Sequence, residues 1–90
     1  MKSFTTPDFW QAYAQLPEDV KEQARKAYQL WQENQSHPSL HFKKVGKNLW
    51  SARVTSGYRA LALKKEDDYY WFWIGNHNEY DQIITTPFPV

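Results

Sequence analysis

The chain predicts an α+β fold, two N-terminal helices packed on one antiparallel sheet of about four strands. Prolines at positions 7 and 17 each open a segment with apolar residues at helical spacing. Two strand-like runs, residues 49–55 and 58–64, flank Ser56-Gly57 as a hairpin would. A further run, residues 69–74, is apolar almost throughout, which suits a central strand covered on both faces.

Residues 2–5 alternate weakly and give a short first strand. Thr6 then caps a helix, Pro7 takes its first position, and Asp8 meets the positive end of its dipole. Phe9, Trp10, Tyr13 and Leu16 supply its apolar rings and branches before Pro17 stops it. Pro17 also opens the second helix, with Glu18, Asp19 and Glu22 in its first turns. Val20, Ala24, Ala27 and Leu30 or Trp31 form an apolar stripe, whose small alanines permit close approach to a partner surface. Lys21, Gln23, Arg25, Lys26 and Gln29 take the polar face, and the stretch from Asn34 to Pro38 ends the helix. Two helices joined at one proline make an antiparallel or strongly bent pair.

Residues 39–45 begin the sheet, with Leu40, Phe42 and Val45 inward and Lys43 and Lys44 near solvent. Gly46-Lys47-Asn48 is a turn. A two-residue loop at Ser56-Gly57 pairs Thr55 with Tyr58, Val54 with Arg59 and Arg53 with Ala60. The two arginines then lie on opposite faces, a conclusion that a bulge at the turn reverses. Residues 65–68 turn into the central strand, which Gly75 and Asn76 break. Residues 77–81 read as an irregular turn, and Ile83 and Ile84 as a last edge strand before Pro87 and Pro89. Trp10, Trp31, Trp71 and Trp73 read as core.

Ninety residues make one domain, residues 1–90, with a modest core. An aromatic content of 18% offsets that small size, since each ring buries a large area. With no cysteine, disulfides and thiolate metal sites are excluded. There is no membrane-length apolar run and no visible signal peptide, so a soluble cytoplasmic protein is expected. The net charge of +1 hides an asymmetry: no acid occurs from Asn34 to Lys65, while Lys43, Lys44, Lys47, Arg53, Arg59, Lys64 and Lys65 all do. From Glu66 onward there are five acids and no Lys or Arg. A basic segment of this kind suits a phosphate-rich partner.

The stretches TPDFWQAYAQLP, LHFKKVGKNLWSARVTSGYRALAL and WFWIGNHNEYDQII cover most of the chain. In order and spacing they resemble RelE/ParE-superfamily toxins of bacterial type II toxin-antitoxin systems. The most specific part is SGYRALAL followed by the HNEYD block. The resemblance implies a RelE-like fold and a cognate antitoxin that wraps the toxin surface in a hetero-oligomer. It also implies one of two activities. Ribonuclease members act in the ribosomal A site and cut mRNA; other members poison DNA gyrase without cutting RNA.

Arg59 is the first site candidate, because a guanidinium can hold two phosphate oxygens and stabilise charge on a pentavalent phosphorus. In the family the matching arginine does this; the plainer role is an edge arginine that covers apolar surface or pairs with Asp81. His77 has the side-chain type whose ordinary pKa suits proton transfer at neutral pH, or it caps local backbone groups. Tyr80 is placed to orient the 2′-hydroxyl or stack on a base, or else belongs to the core. Glu79 could act as a base but reads better as an exposed charge, and Asp81 as a tie for the tail. Arg53, Lys43, Lys44 and Lys47 are candidate RNA-phosphate contacts, each alone equally a solvated surface charge. His37 and His41 have no helix or cysteine to make a metal site with them, and no metal or cofactor is required. The best-known ribonuclease pattern carries lysines on the strand before the arginine, where this chain has Trp50 and Ala52. The expected activity is ribosome-dependent mRNA cleavage with Arg59, His77 and Tyr80 as catalytic groups. The alternative is a non-catalytic, ParE-like toxin that inhibits gyrase or another protein by binding.

Overall fold

A computed structural model describes residues 2–85. After β1 (Ser3–Thr5), the Thr6 hydroxyl accepts from Phe9 N at 3.3 Å and Pro7 occupies the first turn, so α1 (Pro7–Ala14) starts where the sequence places it. Pro17 precedes α2 (Glu18–Glu33), which buries Val20, Ala24 and Trp31. A single 3-10 turn, Pro38–Leu40, leads to β2 (Lys43–Gly46), and β3 (Leu49–Thr55), β4 (Tyr58–Lys65) and β5 (Asp68–Asn76) follow. The chain then forms α3 (His77–Thr85). The sheet order is β1-β5-β4-β3-β2, with β1 parallel to β5 and the other pairs antiparallel. This is the expected α+β architecture, widened to five strands by the parallel edge.

One core lies between the sheet and the first two helices, and Trp31, 1% exposed, is at its centre. Its ring meets Phe42, Tyr69 and Trp71 edge-on and stacks on Tyr28 at 6.0 Å. A second, smaller core on the other face joins Leu49, Leu61 and Tyr80 with Phe72, Trp73, Ile83 and Ile84. β5 is therefore covered on both faces, as its apolar run requires.

Several local expectations give way. Helices do not all lie on one side: α3 covers the second face, and it replaces both the irregular turn and the edge strand expected after residue 76. Its cause is local. Asn76 Oδ1 accepts from Glu79 N and its Nδ2 donates to Glu79 Oε1, both at 2.9 Å, a reciprocal cap on the first turn. β5 also continues through Gly75 rather than breaking there. Residues 39–42 lie outside the strands, with His41 in the left-handed region at φ 43°. The Arg53–Ala60 and Val54–Arg59 pairs are replaced by Ala52–Ala60 and Arg53–Arg59, because the register shifts between Arg53 and Thr55. The arginines are thus direct cross-strand neighbours. Trp10 is 51% exposed rather than core; its indole N–H reaches Thr5 Oγ1 at 3.0 Å. Pro87 and Pro89 lie outside the described residues.

Candidate functional site

The β3–β4 hairpin and the start of α3 meet at one end of the sheet. The main-chain N–H of His77 donates to Gly57 O at 2.8 Å, and Arg59 pairs with Gly75 on β5. Arg59 and His77, eighteen positions apart in sequence, are therefore brought to the same corner.

Within that corner Arg59 is half-buried, and its Nη1 is engaged with the hairpin. It donates to the carbonyls of Thr55 at 2.7 Å, Tyr58 at 3.0 Å and Ser56 at 3.4 Å. The guanidinium thereby places a cation among the carbonyls of the turn. It does not pair with Asp81. That carboxylate instead lies 3.0 Å from His77 Nδ1, one helical turn along α3. With Nδ1 held, Nε2 is the ring atom on the far side, and the His77 side chain is 44% exposed. Of Arg59, His77 and Tyr80, His77 alone is an imidazole-type acid-base group that neither the turn nor the second core takes up.

Tyr80 lies elsewhere. It is 5% exposed, and its hydroxyl donates to Ser51 Oγ at 3.1 Å, with Ser51 itself 2% exposed. Its ring borders that of His77 at 5.7 Å between centroids, but its polar atom serves the second core. Tyr80→Phe is expected to leave the Ser51 hydroxyl without this donor and to destabilise the protein by about 1–3 kcal/mol. Urea unfolding measures this; an unchanged midpoint would mean that the hydroxyl pair contributes nothing. Glu79 is exposed and committed to the Asn76 cap.

The lysines are spread along the outer edge of the sheet, with Lys43 paired to Ser51, two positions before Arg53, and Lys44 to Trp50. Lys43 and Lys44 lie exposed on the outer strand β2. Lys47 is exposed in the β2–β3 turn, at the other end of β3 from Arg53. Arg53 borders a cavity beneath α2. Lys64, part of the same basic stretch, sits over the rings of Trp50 and Tyr69 at 5.6 and 5.5 Å. Part of the charge that reads as a nucleic-acid face is therefore used in packing. The Asn76–Glu79 cap was legible as Asn-x-x-Glu and would have marked α3; no local signal marks the Ser51–Tyr80 pair.

Among the described residues, no three His, Asp or Glu side chains gather into a possible metal site, and no helix is long and apolar enough to cross a membrane.

Residues 18–82 match the family model of the ParE-like toxin domain. No curated protein matches the chain. Among solved structures, the chain is similar to the RelB–RelE antitoxin–toxin complex from Methanococcus jannaschii, with 13% identity, TM-score 0.71, and coverage of 89% of this chain and 96% of that one. It is also similar to a YoeB/ParE toxin from Agrobacterium tumefaciens, at 14% identity, TM-score 0.64, and 86% and 99% coverage. A copper-bound mutant toxin from Helicobacter pylori gives 15% identity, TM-score 0.58, and 88% and 97% coverage. At these identities the likeness to solved structures concerns the fold: two N-terminal helices against the sheet.

Proposed function

Because this chain belongs to the ParE-like toxin domain family, we propose that it is the toxin of a type II toxin-antitoxin pair and arrests growth by binding a protein target rather than by cutting RNA. DNA gyrase is the first target to test. The carrying observation is the state of the expected catalytic trio. Arg59 Nη1 is engaged by the turn carbonyls, the Tyr80 hydroxyl is buried on Ser51, and of the three only His77 is left as an acid-base group, while the Glu79 carboxylate is held by Asn76. Cleavage through a 2′-hydroxyl needs one group to take a proton and another to give one. Trp50 and Ala52 stand where ribonuclease members carry lysines, which points the same way.

A specific antitoxin, encoded beside the toxin, is the proposed partner. The Methanococcus jannaschii toxin was solved with its antitoxin, and the basic stretch here offers a surface for an acidic or amphipathic segment. Co-expression with the adjacent reading frame should yield a stable hetero-oligomer. Recovery of the free chain alone would count against the pair.

The second reading is the ribosome-dependent endoribonuclease. It is favoured by the His77–Asp81 contact beside Arg59, with Lys43, Lys44, Lys47 and Arg53 holding RNA. Induction in cells separates the two. The binding toxin should alter plasmid supercoiling, leave mRNA intact, and still act as His77→Ala. New 5′ ends on translated mRNA that vanish in both Arg59→Ala and His77→Ala would replace it with the nuclease.

A further inference from the structure

The sheet has two open edges, β1 and β2, and only one of them is guarded. β2 carries the exposed Lys43 and Lys44 and a register shift before Gly46, devices that keep a foreign strand from pairing. β1 carries neither. Ser3, Phe4 and Thr5 are uncharged, and their register with β5 is regular. The ladder also shows which main-chain groups of β1 are free. Tyr69 N donates to Lys2 O at 2.9 Å and Thr6 N to Trp71 O at 3.1 Å, so Lys2, Phe4 and Thr6 turn their polar groups to β5. By alternation, those of Ser3 and Thr5 point outward along the open edge. Two of the three large apolar residues left exposed among the described residues flank this edge, Phe4 at 42% and Trp10 at 51%. Phe4 stacks on Tyr70 at 5.1 Å on the α3 face, and Trp10 reaches Thr5 Oγ1 on the other. The edge is thus unpaired along its backbone and apolar on both sides.

We propose that β1 is a self-pairing edge: two copies of the chain join β1 to β1, antiparallel, about a twofold axis at Phe4. In that register Ser3 faces Thr5 of the second copy, and each outward N–H meets an outward carbonyl. The two Phe4 rings meet at the axis, in the position where cross-strand side chains lie closest, and extend the stack begun with Tyr70. Charge selects a second copy over an unrelated strand. Lys2 and Asp8 are exposed at opposite ends of β1, and Asp8 has no ion-pair partner among the described residues. Antiparallel twofold pairing carries Lys2 of each copy to the Asp8 end of the other, the self-complementarity such an interface requires. Parallel pairing would set like charges together. A three-residue edge makes a small interface, so the association is weak and concentration-dependent.

The test is sedimentation equilibrium of the full chain from micromolar to millimolar concentration. The mass is expected to rise with concentration from 10.8 kDa toward twice that value. Phe4→Lys should raise the dissociation constant by at least about tenfold, because it sets two like charges on the axis. Lys2→Glu and Asp8→Lys should each weaken the dimer, and the double variant should restore it. If Phe4→Lys fails to fold, the charge reversals, both at exposed positions, still decide the matter. A chain that stays monomeric throughout would overturn the proposal, as would a dimer that Phe4→Lys leaves intact. Failure of the double variant to regain what the single ones lose would overturn the antiparallel twofold pairing.

Discussion

Trp31→Ala is expected to cost about 3–5 kcal/mol of stability, the range for a large ring removed from a core. Among the large side chains of the first core none is more enclosed than this one, at 1% exposure, and four aromatic rings lean on it. A chain of this length has a total stability of roughly 4–13 kcal/mol, so the loss takes a large share of it. The cavity beside Trp31 sharpens the expectation, since the void left by the indole would merge with space already present. Trp31→Phe should cost less, because it keeps a ring and deletes the unpartnered indole donor. Urea unfolding of the two variants measures both effects. Equal losses would mean that the indole N–H already has a partner in solution, or that ring size matters less than the packing implies.

Gly75→Ala carries the next largest effect, about 1–3 kcal/mol of overpacking. A Cβ on Gly75 would lie 2.4 Å from Trp73 Cζ2 and 2.9 Å from Cη2, far inside contact distance. The backbone is not the obstacle, since no glycine here has positive φ among the described residues. Steric conflict with one ring is the whole cause, and this makes the effect separable. Trp73→Leu removes the ring, so in that background Gly75→Ala should cost little, and the double-mutant cycle should show strong coupling. Additive losses would refute the close approach. Gly75 is also the cross-strand partner of Arg59, so a displaced Trp73 would disturb the hairpin corner. If that corner contacts the target, toxicity should fall in the single variant and recover in the double.

Elements whose causes are local are legible in the residues alone. Thr6-Pro7-Asp8 and Pro17 place the two helices, the turn at Ser56-Gly57 joins β3 to β4, and the two-sided apolar run of β5 makes it a central strand. The Asn76–Glu79 cap belongs to the same class, although the glycine before it is also a break signal. The order of these elements, with the quoted stretches, was also enough for the RelE/ParE resemblance.

Tertiary structure decided the rest. Whether Val54 pairs or bulges depends on which register lets β3 meet both β4 and α2, and the local sequence permits either. The bulge moved Arg53 from Ala60 to Arg59, and the same end of β3 closes the cavity under α2. Tyr80 reads equally as a substrate contact and as core, until α3 folds across the second face and sets its hydroxyl on Ser51, twenty-nine positions earlier. Arg59 likewise has its charge in the sequence but its partners only in the closed hairpin. In each case the residue type defines what a side chain can bond to, while long-range packing selects the partner, because a buried polar group takes whichever partner the fold brings within reach.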